Sequence, residues 1–117
     1  HLECTDESDP NYRIFRKNIA DLESMTDAAG RNLQVVKVPQ PPVFRDGDRR
    51  LDLSYQNYYP ANGAVVLPRF GVDEDEAAAE IFRNEFPDRE LVWFEDPHIL
   101  FHGGGGIHCL TQQQPRR

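Results

Sequence analysis

Cysteine is scarce in this chain, with Cys4 and Cys109 the only two. Two isolated thiols so far apart make no disulfide framework. There is no Cys-X-X-Cys pair, and the single His-X-X-X-His pair, His98 and His102, has no cysteine pair to go with it, so a zinc site has little support. Both cysteines read as free thiols of a reducing compartment, and a cytoplasmic setting is expected. Long apolar runs are missing too: nothing approaches the ~18 residues of a membrane span. The first residues lack the basic-then-apolar pattern of a signal peptide. A positive balance is also absent. The net charge of -7 disfavours nucleic acid as a partner. It is compatible with a small cationic ligand, although a global charge says nothing about one pocket. The chain starts at His1 rather than Met, which points to a processed or truncated start. At 117 residues one domain at most is expected, and 38% apolar and 28% charged residues fit a soluble globular piece.

What is present is concentrated near the C-terminus. Four consecutive glycines, Gly103 to Gly106, precede Ile107-His108-Cys109. Such a run builds neither core nor helix. It lets backbone N–H groups come close to something else. A thiol directly behind it is a candidate nucleophile, because a partly exposed cysteine ringed by N–H dipoles loses its proton readily. The alternative is a small buried apolar cysteine on a strand after a flexible turn.

Along the chain, Leu2 and Cys4 alternate with polar neighbours, like the tail of a strand. Ser8-Asp9-Pro10 opens a helix, with Ser8 or Asp9 as cap. Tyr12, Phe15, Ile19, Leu22 and Met25 form its apolar stripe, and Gly30 ends it. Leu33 to Val38 predicts a strand, stopped by Pro39. A charged, Pro-rich loop is expected from there to Asp52. Leu53 to Tyr59 and Ala64 to Leu67 read as strands joined by a turn at Asn62-Gly63. Asn57 would share a face with Tyr55 and Tyr59 and tie down a neighbouring loop. The acids Asp73 to Glu76 suit the start of a helix that runs through Ile81 and Phe82. Leu91 to Phe94 is the next strand, and Ile107 to Thr111 a last extended piece. This order supports a mixed α/β or α+β fold.

The run Gly103-Gly104-Gly105-Gly106-Ile107-His108-Cys109-Leu110-Thr111-Gln112-Gln113-Gln114-Pro115 resembles the C-terminal signature of agmatine deiminases. These belong to the guanidine-modifying pentein superfamily, which also holds the bacterial-type peptidylarginine deiminases. Thr5 to Tyr12, Leu33 to Pro39, Ser54 to Tyr59, Asn62-Gly63 and Pro68-Arg69-Phe70 resemble further family segments, in the family's order. One departure is clear: the last glycine-loop position is usually Asn in the family and is Gly106 here. The likeness covers nearly the whole chain but only about the C-terminal third of such an enzyme.

The resemblance implies an α/β fold, a partial pentein (α/β-propeller) of about one and a half ββαβ units. Residues 1–52 would be the end of one unit plus the charged loop. Residues 53–117 would be the final unit carrying the cysteine loop. It implies Cys109 as catalytic nucleophile, Gly105 and Gly106 lining the substrate pocket, and no metal or other cofactor. The implied reaction hydrolyses agmatine to N-carbamoylputrescine and ammonia through a Cys thiouronium, as in putrescine biosynthesis. The family's general acid sits in a Gly-His-(Val or Ile)-Asp motif that this chain does not contain. Neither His102 nor His108 matches that position; His108, if on an extended segment, would face away from Cys109. The chain alone is therefore expected to be inactive, and to self-associate through unpaired strand edges and apolar faces. The expected partners are a small cationic guanidine and further copies of the chain, without nucleic acid or membrane. The competing readings are a peptidylarginine deiminase and a truncated, non-catalytic α/β association module.

Overall fold

The computed structural model describes residues 1–115; residues 116 and 117, the end of the expected second segment, lie outside the described residues. Two units, His1–Gln40 and Pro41–Arg117, each form their own set of contacts.

In the first unit, β1 (Leu2–Glu3) pairs in parallel with β2 (Val38–Pro39). The 14-residue helix α1 (Asn11–Ser24) carries the expected stripe except Met25, with Ile19 buried and Tyr12, Phe15 and Leu22 half-buried, while Met25 lies past the helix end and is exposed. The Asp9 carboxylate accepts the N–H of Asn11 at 2.8 Å, holding the start of the helix. Two expectations need correction here. The helix ends at Ser24, not near Gly30. Gly30, at φ +76°, serves a separate turn in which the Asp27 carboxylate accepts the N–H groups of Ala29 and Arg31, each at 2.9 Å. Leu33 to Val38 is not a strand apart from its end. The alternation of side chains is present, but a strand needs a partner backbone, and β1 offers only two residues.

In the second unit the sheet order is β5-β6-β7, from β5 (Tyr59–Ala61), β6 (Ala64–Arg69) and β7 (Glu90–Glu95). The first pair is antiparallel across the Asn62-Gly63 turn, with Gly63 at φ +76°. The second is parallel and is connected through helix α2 (Glu74–Glu85). That is the ββαβ order of a pentein unit, so the mixed α/β class holds. Val65 and Leu67 of β6 are buried, as are Ala78, Ala79 and Phe82 of α2. One acid of the 73–76 run does more than sit at the helix start. Asp75 is buried, and its carboxylate accepts from Tyr55 Oη at 2.7 Å and from the N–H groups of Phe70, Gly71 and Val72 at 2.8–3.1 Å. Burial, with the Asp75 carboxylate beside it, pushes the Tyr55 phenol well above its usual range.

Two further stretches depart from expectation. The charged loop contains a hairpin, β3 (Phe44–Asp46) with β4 (Arg49–Leu51), turning at Gly47 with φ +58°. The strand expected over Leu53 to Tyr59 is instead a turn at Tyr55 to Asn57, where Asn57 N–H donates to Ser54 O at 3.3 Å. Tyr55 leaves the alternating pattern because its ring is buried against Phe70 and its hydroxyl is held by Asp75.

Candidate active site

Helix α3 (His98–His102) delivers the chain to the glycine run. Its side chains explain why it forms: Phe101 is buried against Phe70, and His98 lies against the rings of Phe44 and Phe70. The run then folds back on the helix, with Gly104 N–H donating to Phe101 O at 3.0 Å and Gly105 N–H to Leu100 O at 3.3 Å. Gly104 takes φ +84°, a conformation that disfavours any side chain. The hairpin steadies the same corner. Arg49 Nη1 donates to His102 O at 3.1 Å, and His102 Nδ1 lies 3.1 Å from Asp46 Oδ2.

Behind the glycines, Gly106 and Ile107 are buried and Cys109 is exposed. The sulfur is thus open to solvent, not sealed in hydrocarbon. The expected extended piece from Ile107 to Thr111 is corrected: His108–Leu110 is one turn of 3-10 helix. The cause is Asn57, 52 residues earlier in the chain. Its Oδ1 accepts the N–H of His108 at 2.8 Å and of Cys109 at 3.4 Å, as a helix-capping side chain does, and this curls the backbone. Its Nδ2 stands 3.1 Å from Cys109 Sγ and donates to it. Curled in this way, His108 is not on an extended backbone, so strand alternation does not set its side chain opposite Cys109. Asn57 was expected to tie down a neighbouring loop, and the loop it ties is the one with the thiol.

These contacts lower the Cys109 pKa below that of an ordinary thiol. The Asn57 amide acts most, followed by the Gly106 N–H, against a small opposing effect of desolvation. Donors aimed at sulfur stabilise the thiolate, which is the nucleophilic form. Gly105 and Gly106 differ in what they face. A Cβ on Gly105 would meet Cys109 Cβ at 3.2 Å and Sγ at 3.7 Å, whereas one on Gly106 would run into Asn57. Sequence reasoning missed Asp75 as an internal ligand for backbone N–H groups. The signal was its place on the inward face, in register with Ala78, Ala79 and Phe82.

A mixed α/β unit that presents an accessible, acidified thiol behind a glycine turn defines a candidate cysteine-nucleophile site. Residues 1–115 match the family of Porphyromonas-type peptidyl-arginine deiminases, and the chain belongs to that family. A Streptomyces coelicolor protein named "Putative agmatine deiminase" is 49% identical over 108 residues, covering 92% of this chain and 32% of that protein. The solved structure of the agmatine deiminase of Enterococcus faecalis superposes with a TM-score of 0.88 at 30% identity, over 99% of this chain and 36% of that one. The C. jejuni agmatine deiminase gives a TM-score of 0.80 at 25% identity, over 93% of this chain and 31% of its own. The chain therefore spans about a third of the length of the curated relatives it matches.

Proposed function

We propose that this chain is the C-terminal part of a guanidine deiminase that hydrolyses agmatine to N-carbamoylputrescine and ammonia, with Cys109 as nucleophile. The observation that carries the reading is the exposed Cys109 sulfur with the Asn57 amide donating to it at 3.1 Å. A guanidinium carbon is a poor electrophile, since its charge is spread over three nitrogens. It needs an anionic sulfur, carboxylates to hold the cation and an acid for the departing ammonia. The Cys109 thiolate attacks that carbon and forms a C–S bond. One nitrogen takes a proton and leaves as ammonia, and an S-alkyl thiouronium remains. Water then adds to the same carbon and the thiolate leaves, giving the ureido product. The family's Gly-His-(Val or Ile)-Asp proton donor has no counterpart in these 117 residues, so we expect this chain by itself to be inactive.

The relatives' names favour agmatine as substrate, while the family description favours peptidyl-arginine, the second reading. A chimera separates them: the upstream two thirds of the Enterococcus faecalis enzyme joined to this chain, assayed with agmatine and with an arginine-containing peptide. N-carbamoylputrescine from agmatine supports the first reading, and citrulline from the peptide the second. A folded chimera that makes neither product, with Cys109 still alkylated readily, overturns both.

A further inference from the structure

Asn57 reaches the thiol from a slight turn. Its N–H donates to Ser54 O at 3.3 Å, and the Gln56 N–H donates to Ser54 Oγ at 3.1 Å. A firmer hold comes from the residues on either side, and both lead to helix α2. Before Asn57, Tyr55 is fully buried, and its hydroxyl donates to Asp75 Oδ1 at 2.7 Å. After it, Tyr58 packs on Phe82 and Phe86, with ring centroids 4.7 Å and 5.8 Å apart. Ring contacts tolerate sliding, whereas a hydrogen bond to a buried carboxylate fixes distance and direction together. Asp75 is itself fixed, since its two oxygens also accept the N–H groups of Phe70, Gly71 and Val72 at 2.8–3.1 Å. With the hydroxyl these make four donors, about the capacity of a carboxylate, and Tyr55 supplies the only side chain among the four. The phenol stays protonated as a donor, because burial and the carboxylate beside it push it well above its usual range.

We infer that Tyr55 and Asp75 are positioning residues for the Cys109 sulfur: the buried pair anchors the turn that carries Asn57 and so keeps its amide on the thiol. This deepens the reading of Cys109 as nucleophile and rests on it. Neither residue is among the groups acting on the sulfur directly. They work through Asn57, whose Nδ2 lies 3.1 Å from Sγ and whose Oδ1 accepts the His108 N–H at 2.8 Å. The line of contacts runs from the first turn of α2, through one hydroxyl, to a side chain two residues further along the chain. A buried helix thereby supports an exposed site. Asp75 also serves the three N–H groups it accepts, so the Tyr55 hydroxyl is the part of the cluster that reaches the thiol. The groups lowering the Cys109 pKa are hydrogen-bond donors; no charged side chain is among them. The nearest titratable residue in sequence is His108, while His102 is engaged with Asp46 at the other end of the glycine run.

The test is the rate of Cys109 alkylation by iodoacetamide across pH in the 117-residue chain, read by mass spectrometry of the two cysteine peptides. Tyr55→Phe keeps the buried ring and removes only the hydroxyl. It should move the Cys109 midpoint to higher pH and slow labelling at pH 7 by roughly two- to fivefold. Asn57→Ala removes the amide itself and should shift the midpoint at least as far. Adding Tyr55→Phe to Asn57→Ala should give no further shift, because both act through one contact. Leu67→Ala, at a fully buried position on β6, controls for loosening of the unit: it should lower the urea midpoint and leave the pH midpoint of Cys109 in place. A Tyr55→Phe profile that overlays the parent's overturns the inference. So does a Leu67→Ala shift of the same size, or a further shift in the double variant. If Tyr55→Phe is unfolded by circular dichroism, all profiles are taken in about 1 M sucrose, which favours the folded state. A Tyr55→Phe chain still unfolded there overturns the inference, since the hydroxyl then serves the whole fold. The readout needs no substrate. A chimera inactive on both substrates, beside a shifted Tyr55→Phe midpoint, would overturn the deiminase reading and leave this one standing.

Discussion

The two cysteines, one in each unit, are the same residue put to opposite uses. Cys4 is 6% exposed, and its sulfur donates to Asp6 O at 3.6 Å. Cys109 is exposed, and its sulfur receives a hydrogen bond from the Asn57 amide, with the Gly106 N–H also acting to lower its pKa. Residue type does not decide reactivity. Access and the direction of hydrogen bonding do. A hollow beside the sulfur does not decide it either. A cavity of about 400 Å³ in the first unit is lined by Cys4, Tyr12, Phe15, Arg16, Ile19 and Lys37, among others, and no residue of the glycine loop lines it. The candidate chemistry follows the sulfur that accepts a hydrogen bond from a side-chain amide, not the one beside that cavity.

That contrast can be broken in three ways, taken from the largest expected effect downward. With limiting iodoacetamide at pH 7, Cys109 should label about 100-fold faster than Cys4, since a buried thiol reacts only through local opening. In denaturing urea the two rates should converge. Equal rates in the folded chain would remove the distinction. Next, Asp75→Ala leaves the Tyr55 hydroxyl and the N–H groups of Phe70, Gly71 and Val72 without their acceptor. It should cost about 2–3 kcal/mol in urea unfolding. It should also slow Cys109 labelling at pH 7, because the turn that carries Asn57 loses its anchor. The smallest effect concerns association. On β7, Val92 and Phe94 are 39% and 38% exposed, and β7 pairs only with β6 among the described residues. We expect the chain to elute from gel filtration as a species larger than its 13.5 kDa. Val92→Lys should shift it toward the monomer. Monomeric elution of both proteins would count against self-association.

Local rules made much of the fold legible. The spacing of Tyr12, Phe15, Ile19 and Leu22 marks α1, and Ala78, Ala79 and Phe82 mark α2. Asn62-Gly63 marks the β5–β6 hairpin. Cys109 stood out because it follows a glycine run. The failures share a physical cause, which is that a distant partner decides the local shape. Ile107 to Thr111 has the composition of a strand, but Asn57 catches its N–H groups and bends it into a 3-10 turn. Tyr55 is drawn out of an alternating segment by Asp75, 20 residues later. Leu33 to Val38 alternates correctly yet finds only a two-residue partner. The β3–β4 hairpin was hidden for another reason. Its strands are charged, so only the Asp46-Gly47 turn pair announces it.

The account turns on a sulfur made acidic by its neighbours, and one titration reaches that directly. The rate of Cys109 alkylation is followed against pH in the folded chain and again in urea, with the same reagent. A folded-state pKa held down by Asn57 and the Gly106 N–H predicts a midpoint at lower pH in the folded chain than in the unfolded one. Coincident midpoints, or a folded midpoint displaced to higher pH, would contradict it.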